Sequence, residues 1–301
     1  MIPHRSTALA PAALLCLLAL VFPASAPAQE EPFSLRLRWI PGKTYTQETT
    51  TETTTSLTAI GKPEDQKMKV KQTTVIQVTD SGDSKIAARV TFQSMTGEVM
   101  LQGQKHLFDS AHLAAAHPLI RASVGQSVGK SFVLLYSTDG RFIEVADTAK
   151  MSSPDTLGTP TLEGIAEAKQ VAELYRRSLE MGLPKMPVKP GDRWTSQETV
   201  QFPSAGTVNV ELRAKFDSLL DYEGRKHAKI GFEGDMKRAD ESAGARTVTI
   251  GNGSKTFGQV LYDLDRSTVS FGTFRADISL EIAGKNIPVR QQVTTKLVKM
   301  E

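Results

Sequence analysis

His106, His112 and His117 lie within twelve residues. Two histidines share one helix face, and can hold zinc together, when they lie three or four positions apart. Separations of six and five do not do this, so the three read as polar loop residues. Gly251-Asn252-Gly253-Ser254-Lys255-Thr256 has the composition of a phosphate loop. The loop needs Gly-Lys-Ser/Thr followed by a helix N-terminus facing the phosphate. Here Ser254 intervenes and Phe257–Tyr262 reads as a strand, so a hairpin tip is expected. Asn252-Gly253-Ser254 is also a glycosylation sequon, which matters only in a eukaryotic secretory route. Ser127-Val128-Gly129-Lys130 fits the Ser-x-x-Lys of serine acyl-enzymes, but the Ser-Asp-Asn and Lys-Thr-Gly partners are missing and no helix is predicted to carry it. Asp263 and Asp265 share a face if they lie on a strand, as paired carboxylates for acid–base work or calcium would. Without further acidic ligands they read as flanking a turn. No catalytic constellation, metal site or cofactor site emerges.

The elements that would have to position a site are therefore the more informative level. Arg5, the apolar run Leu14–Phe22 and the small-x-small Ala26-Pro27-Ala28 read as a secretory signal over residues 1–28, cut near Ala28. Cys16, the sole cysteine, follows Leu15 inside the apolar run, so it reads as part of the signal and not as a lipid anchor. The remaining chain then has no thiol chemistry, and export without disulfides points to a bacterial periplasm or the exterior. Losing one basic residue lowers the formal charge from +3 to +2. Basic and acidic residues alternate, so there is no stripe for nucleic acid. Nothing after Gln29 approaches a membrane-spanning run.

Strict alternation marks antiparallel strands with one wet face. Phe33, Leu35, Leu37 and Trp39 alternate with Ser34, Arg36 and Arg38. Val208, Val210, Leu212, Ala214 and Phe216 do likewise, as do Ile278, Leu280 and Ile282. Turn signals such as Asp139-Gly140 and Glu223-Gly224 punctuate them. Thr44–Thr58 reads as a solvated strand reaching past the sheet. Thr161–Met181 breaks the pattern: Leu162, Ile165, Ala168, Ala172, Tyr175 and Leu179 fall on one helical stripe, with Thr161 as cap and Gly182 and Pro184 as stop. A shorter helix or irregular loop is expected near Ser110–His117, and a linker over Met151–Pro160.

A short motif occurs twice: Pro41-Gly42-Lys43-Thr44-Tyr45-Thr46 and Pro190-Gly191-Asp192-Arg193-Trp194-Thr195. Pro and Gly suit the central positions of a type II turn, and the aromatic opens the next strand. Gln47-Glu48-Thr49 and Gln197-Glu198-Thr199 follow, but the extra Ser196 shifts the second by one, which reverses its face unless a bulge absorbs it. Echoes at Asp80/Asp221 and at Tyr136/Tyr262 keep the same order. They imply a duplicated unit: residues 29–150 and 184–301, joined by a linker and helix over 151–183. The expected fold is mainly β with one long helix (α+β): two related antiparallel units, curved or half-barrel, with the helix packed on the sheet.

The motif pair and this layout resemble an uncharacterised family of exported bacterial proteins, which supplies no catalytic residues. More loosely, one-sided strands around a helix resemble the open-barrel periplasmic lipoprotein carriers. That resemblance implies a non-enzymatic protein whose helix lids an apolar concave face. The ligand is then an apolar small molecule such as a lipid, held by Leu162, Ile165, Ala172, Tyr175 and Leu179. The alternative is an envelope scaffold that engages another envelope protein.

Overall fold

The computed structural model describes residues 31–101, 103–148, 168–202, 206–239, 248–282 and 284–301. The signal region, the linker, Leu162 and Ile165 lie outside them. The alternating segments form thirteen strands: β1 (Thr44–Thr55), β2 (Gln66–Asp80), β3 (Lys85–Leu101), β4 (Gln104–Asp109), β5 (Ser131–Ser137), β6 (Phe142–Thr148), β7 (Arg193–Phe202), β8 (Gly206–Tyr222), β9 (Arg225–Arg238), β10 (Val248–Ile250), β11 (Ser254–Asp263), β12 (Thr268–Ile282) and β13 (Lys285–Met300). Two α-helices accompany them, α1 (Pro118–Ser127) and α2 (Ala168–Glu180).

One sheet holds every strand, in the order β6-β5-β3-β2-β1-β13-β12-β11-β9-β8-β7, with β4 on β3 and β10 on β12. Two related antiparallel sheet units were expected. Instead β1 and β13, one from each half, pair antiparallel from Tyr45↔Met300 to Thr55↔Val289. Each half is a meander of neighbouring strands, and this ladder fuses the two. No edge is left at the join, because β1 also pairs along its length with β2.

The sheet is rolled but not closed. Laid flat, its eleven-strand path at about 4.8 Å per step would be about 48 Å across. Yet α2, a cylinder about 10–12 Å wide, touches both edges. Arg176 lies over the Phe142 ring of β6, 4.5 Å from its centroid. Arg177 donates to Glu198 and to the Thr199 carbonyl of β7, both at 2.9 Å. Among the described residues β6 and β7 do not pair with each other.

Alternation decides what faces inward. Leu35, Leu37 and Trp39 are buried, although Phe33–Trp39 is an extended strap rather than a sheet strand, tied to residue 188 by the Phe33↔Val188 bridge. Val208, Leu212, Ala214 and Phe216 of β8 are buried as the pattern required. On β3 the buried set runs Ile86, Ala88, Val90, Phe92 and then Met95 and Val99. The switch from even to odd follows from a bulge: Thr73 pairs with Ser94 but Thr74 pairs with Phe92, so Gln93 is extra. The bulge keeps the inner face apolar. The Thr-rich strand is not a solvated extension. It is β1, near the middle of the sheet, where Thr53 and Thr55 are buried while Glu48 and Glu52 face outward to Lys71 and Lys69.

The helix α1 was missed. Only a loop or short helix near Ser110–His117 was expected; a 3-10 segment does occupy Ser110–Ala115, and α1 follows it. Pro118 starts α1, with His117 Nδ1 accepting from Leu119 N. Ile120 and Val124 bury against Met68, Val70, Met95, Val99 and Phe108, closing one end of the concave face. The Gly251–Gly253 stretch is not a hairpin tip either. β10 and β11 both pair with β12, so the loop interrupts a single line of strand, with Gly251 N bonded to Ser279 O at 2.7 Å.

α2 stops where Gly182 and Pro184 predicted, with Leu183 N donating to Glu180 O at 3.0 Å. Gly182 has φ +77, and a Cβ there would lie 2.7 Å from the Phe232 ring. We predict that Gly182→Ala lowers stability by about 2–4 kcal/mol, combining left-handed strain with overpacking. The measurement is the urea midpoint at unchanged denaturant slope. A midpoint equal to wild type would show that α2 does not abut the sheet this closely.

Candidate functional site

The apolar stripe of α2 faces the concave side of the sheet. Val171 and Ala172 are buried, Ala172 completely. Tyr175 stands edge-on to Phe92 and Phe132 at 6.0 and 5.7 Å. Its hydroxyl donates to Gln47 Oε1 of β1 at 2.9 Å. Burial pushes the Tyr175 phenol well above its usual range, so it stays a neutral donor. On the other flank Arg176 is held by Glu173 and Glu180, at 3.1 and 2.7 Å. Burial pushes the Glu180 carboxyl up, against the pull of Arg176.

Between α2 and the sheet lies a cavity of about 320 Å3. That is within the range of small-molecule sites and about ten times the volume a water occupies in the liquid. The helix side is mostly apolar, from Val171, Leu174 and Leu179 with Met181 just beyond it, against the hydroxyls of Tyr175 and Ser178, and Phe92, Phe232 and Phe274 add aromatic wall. The floor is different. Gln47, Thr49 and Thr51 of β1, Gln72 of β2 and Gln291 and Thr295 of β13 present amides and hydroxyls. Thr49 and Thr295, directly paired across strands, bring their hydroxyls to 3.1 Å. No lining residue carries a charge. Such a site can hold an apolar body against the helix and orient a neutral polar portion against the floor.

Of the sequence candidates, Tyr175 and Leu179 line this cavity and Ala172 is packed in the core beside it. Leu162 and Ile165 fall outside the described residues. The motif residues do not line the cavity. Pro41-Gly42 and Pro190-Gly191 form type II turns with φ +80 and +94 at the glycines. Gly42 N donates to Val78 O and Val78 N to Lys43 O; Gly191 N donates to Phe216 O and Phe216 N to Asp192 O. Tyr45 is fully buried, its hydroxyl accepting from Ile40 N at 3.2 Å, and Trp194 is half-buried against the same core. Gln47 points inward, but Gln197 is exposed and Glu198 lines the inner side instead. β7 pairs with β8 without a bulge. No bulge absorbs Ser196, so Gln-Glu-Thr takes opposite faces in the two places, while the two Pro-Gly turns make the same set of backbone bonds.

One polar cluster went unnoticed in the sequence. His227, Asp263 and Ser270 are all buried. His227 Nε2 is 3.0 Å from Ser270 Oγ and 3.7 Å from Asp263 Oδ2, while Nδ1 meets the Arg225 carbonyl at 2.9 Å. In a Ser-His-Asp triad the carboxylate holds the nitrogen opposite the serine. Here both crowd one nitrogen, and the cavity beneath α2 does not reach them. Asp263 instead organises its turn: Oδ1 accepts from Asp265 N and Arg266 N, and Oδ2 from Arg225 Nε at 2.7 Å. Ser127 is likewise spent, its buried hydroxyl donating to Ser123 O at the end of α1. His106 and His117 rings lie 4.9 Å apart and His112 faces Asp109. Among the described residues no three metal-capable groups converge.

Comparisons with known proteins add little. No protein-family model matches the chain, and no curated protein matches it in sequence. Similar solved structures include a Bacteroides fragilis protein with a YmcC-like fold (12% identity, 90% of this chain and 99% of that one, TM-score 0.33). Others are a β-barrel-like Brucella abortus protein of a domain of unknown function, DUF1849 (10%, 88% and 98%, TM-score 0.23), and a Desulfovibrio piger DUF1329 protein (6%, 86% and 86%, TM-score 0.17). At these scores the likenesses carry no functional assignment. No described helix is long and apolar enough to cross a membrane.

The Asp263 cluster makes a pH prediction. Burial pushes its carboxyl up, but the Arg266 N–H, Arg225 and His227 together hold it below the usual range. A lowered folded pKa means its stabilisation is full above the unfolded value of about 3.9 and is lost as pH falls through the folded one. Asp263→Asn should cost about 3 kcal/mol near neutral pH, since it strands Arg225. The difference from wild type should shrink below about pH 4. Urea unfolding at pH 7 and pH 3 measures both; a pH-independent difference would rule out the charge as its source.

Proposed function

We propose that the protein is an exported, non-enzymatic carrier that holds a lipid-like ligand between α2 and the rolled sheet. The carrying observation is the uncharged cavity with a mostly apolar helix side. A carrier needs a site that is concave, mostly apolar and provided with a few polar groups for orientation. The amphipathic stripe of α2 supplies the apolar part. Gln47, Gln72 and Gln291 with the neighbouring threonines supply the rest without the cost of burying charge. Export rests on the N-terminal sequence pattern.

The same reading includes the duplication. Equivalent backbone bonds at the two Pro-Gly turns, and two meanders running in the same order away from them, support a unit used twice with α2 between the copies.

Protein purified from a bacterial host and extracted with organic solvent should release a lipid-like molecule detectable by mass spectrometry. Val293→Trp, which fills the cavity from β13, should abolish that release while thermal unfolding stays within a few degrees of wild type. A released species unaffected by Val293→Trp, or a wild-type extract with none, would count against the carrier.

A further inference from the structure

The opposite flank of α2 borders a second cavity, of about 470 Å3, at the seam between β6 and β7. Its bed is apolar, made by Leu35, Leu37, Phe142, Met181, Val210 and Leu212. Around it stand five cations, Arg36, Arg141, Arg176, Arg177 and Lys185, against two carboxylates, Glu180 and Glu198. Both carboxylates are engaged, Glu180 by Arg176 at 2.7 Å and Glu198 by Arg177 at 2.9 Å. Arg141 is paired with Asp139 at 2.8 Å. Arg36 and Lys185 have no carboxylate partner among the described residues. They are neighbours: Arg36 Nη2 donates to the Lys185 carbonyl at 2.6 Å.

The backbone of this pair is fixed. The Tyr262 hydroxyl donates to the Arg36 carbonyl, and the strap is bridged to Val188 through Phe33. A guanidinium held in place at the edge of an apolar bed can meet a carboxylate or phosphate with two parallel bonds. A low-dielectric wall behind it strengthens that attraction. A bare anion would leave the apolar bed unused, and a neutral lipid would leave the two cations unanswered.

We propose that the seam cavity binds an anionic amphiphile, with its chain on the Leu35, Leu37 and Val210 bed and its carboxylate or phosphate head between Arg36 and Lys185. This site is distinct from the cavity beneath α2 and does not depend on the carrier reading.

The test uses delipidated full-length protein and the fluorescence of cis-parinaric acid, compared with its methyl ester. The acid should bind about tenfold or more tighter than the ester, the effect of one charge-assisted contact. Arg36→Gln with Lys185→Gln should remove that preference and leave ester binding unchanged. Lys185→Gln alone, at an exposed position, should remove part of it and guards against a folding defect. Val293→Trp should leave acid binding intact. Millimolar inorganic phosphate should not displace the probe, because it has no chain for the apolar bed; displacement would show a site that reads the head alone and overturns the amphiphile. Equal affinity for acid and ester overturns the proposal. So does acid binding that survives the double substitution but is lost in Val293→Trp, an outcome that leaves the carrier reading standing.

Discussion

The β1–β13 ladder is the interaction on which the rest of the structure depends. It joins residues as far apart in sequence as Tyr45 and Met300. Without it the chain would form two meanders, each with a raw edge at the join. With it the strands make one path long enough to roll, since twisted sheets of this width do not stay flat. Rolling brings β6 and β7 to the two sides of α2, and both cavities exist because the helix fills the gap incompletely.

That ladder was invisible in the sequence. Alternation in Val208–Phe216 or Ile278–Ile282 states which side of a strand is dry, because side chains on a strand repeat every two residues. It does not state which strand lies alongside. The Thr-rich segment was misjudged for this reason: its composition looked solvated, but a period of two sends Gln47, Thr49 and Thr51 inward and Glu48 and Glu52 outward. The stop of α2 was legible from Gly182 and Pro184, and its inner face from Ala172, Tyr175 and Leu179. α1 was not: it starts at Pro118, just past the Ser110–His117 segment where a short helix or loop was expected.

The lining of the cavity beneath α2 was legible on its helix side only. Hydrophobic periodicity identifies what a helix buries, so Tyr175 and Leu179 could be named. The polar floor comes from three strands whose adjacency is non-local. The seam cations are subtler still. Arg36 sat on the wet side of an alternating segment, where an arginine is unremarked; its pairing with Lys185 arises from a strap that crosses the fold. The buried His227, Asp263 and Ser270 come from three strands, β9, β11 and β12, with no shared motif.

The unzipped seam also sets where the protein yields. Along the eleven-strand path each described neighbour is held by a backbone ladder, whereas the end strands β6 and β7 are held through α2 by the side chains of Arg176 and Arg177. Breaking those contacts costs less than unpairing a run of amides, so partial opening should start there and leave the β1–β13 join protected. A roll fastened on one side by side chains is a clasp: its interior can be reached without dismantling the sheet.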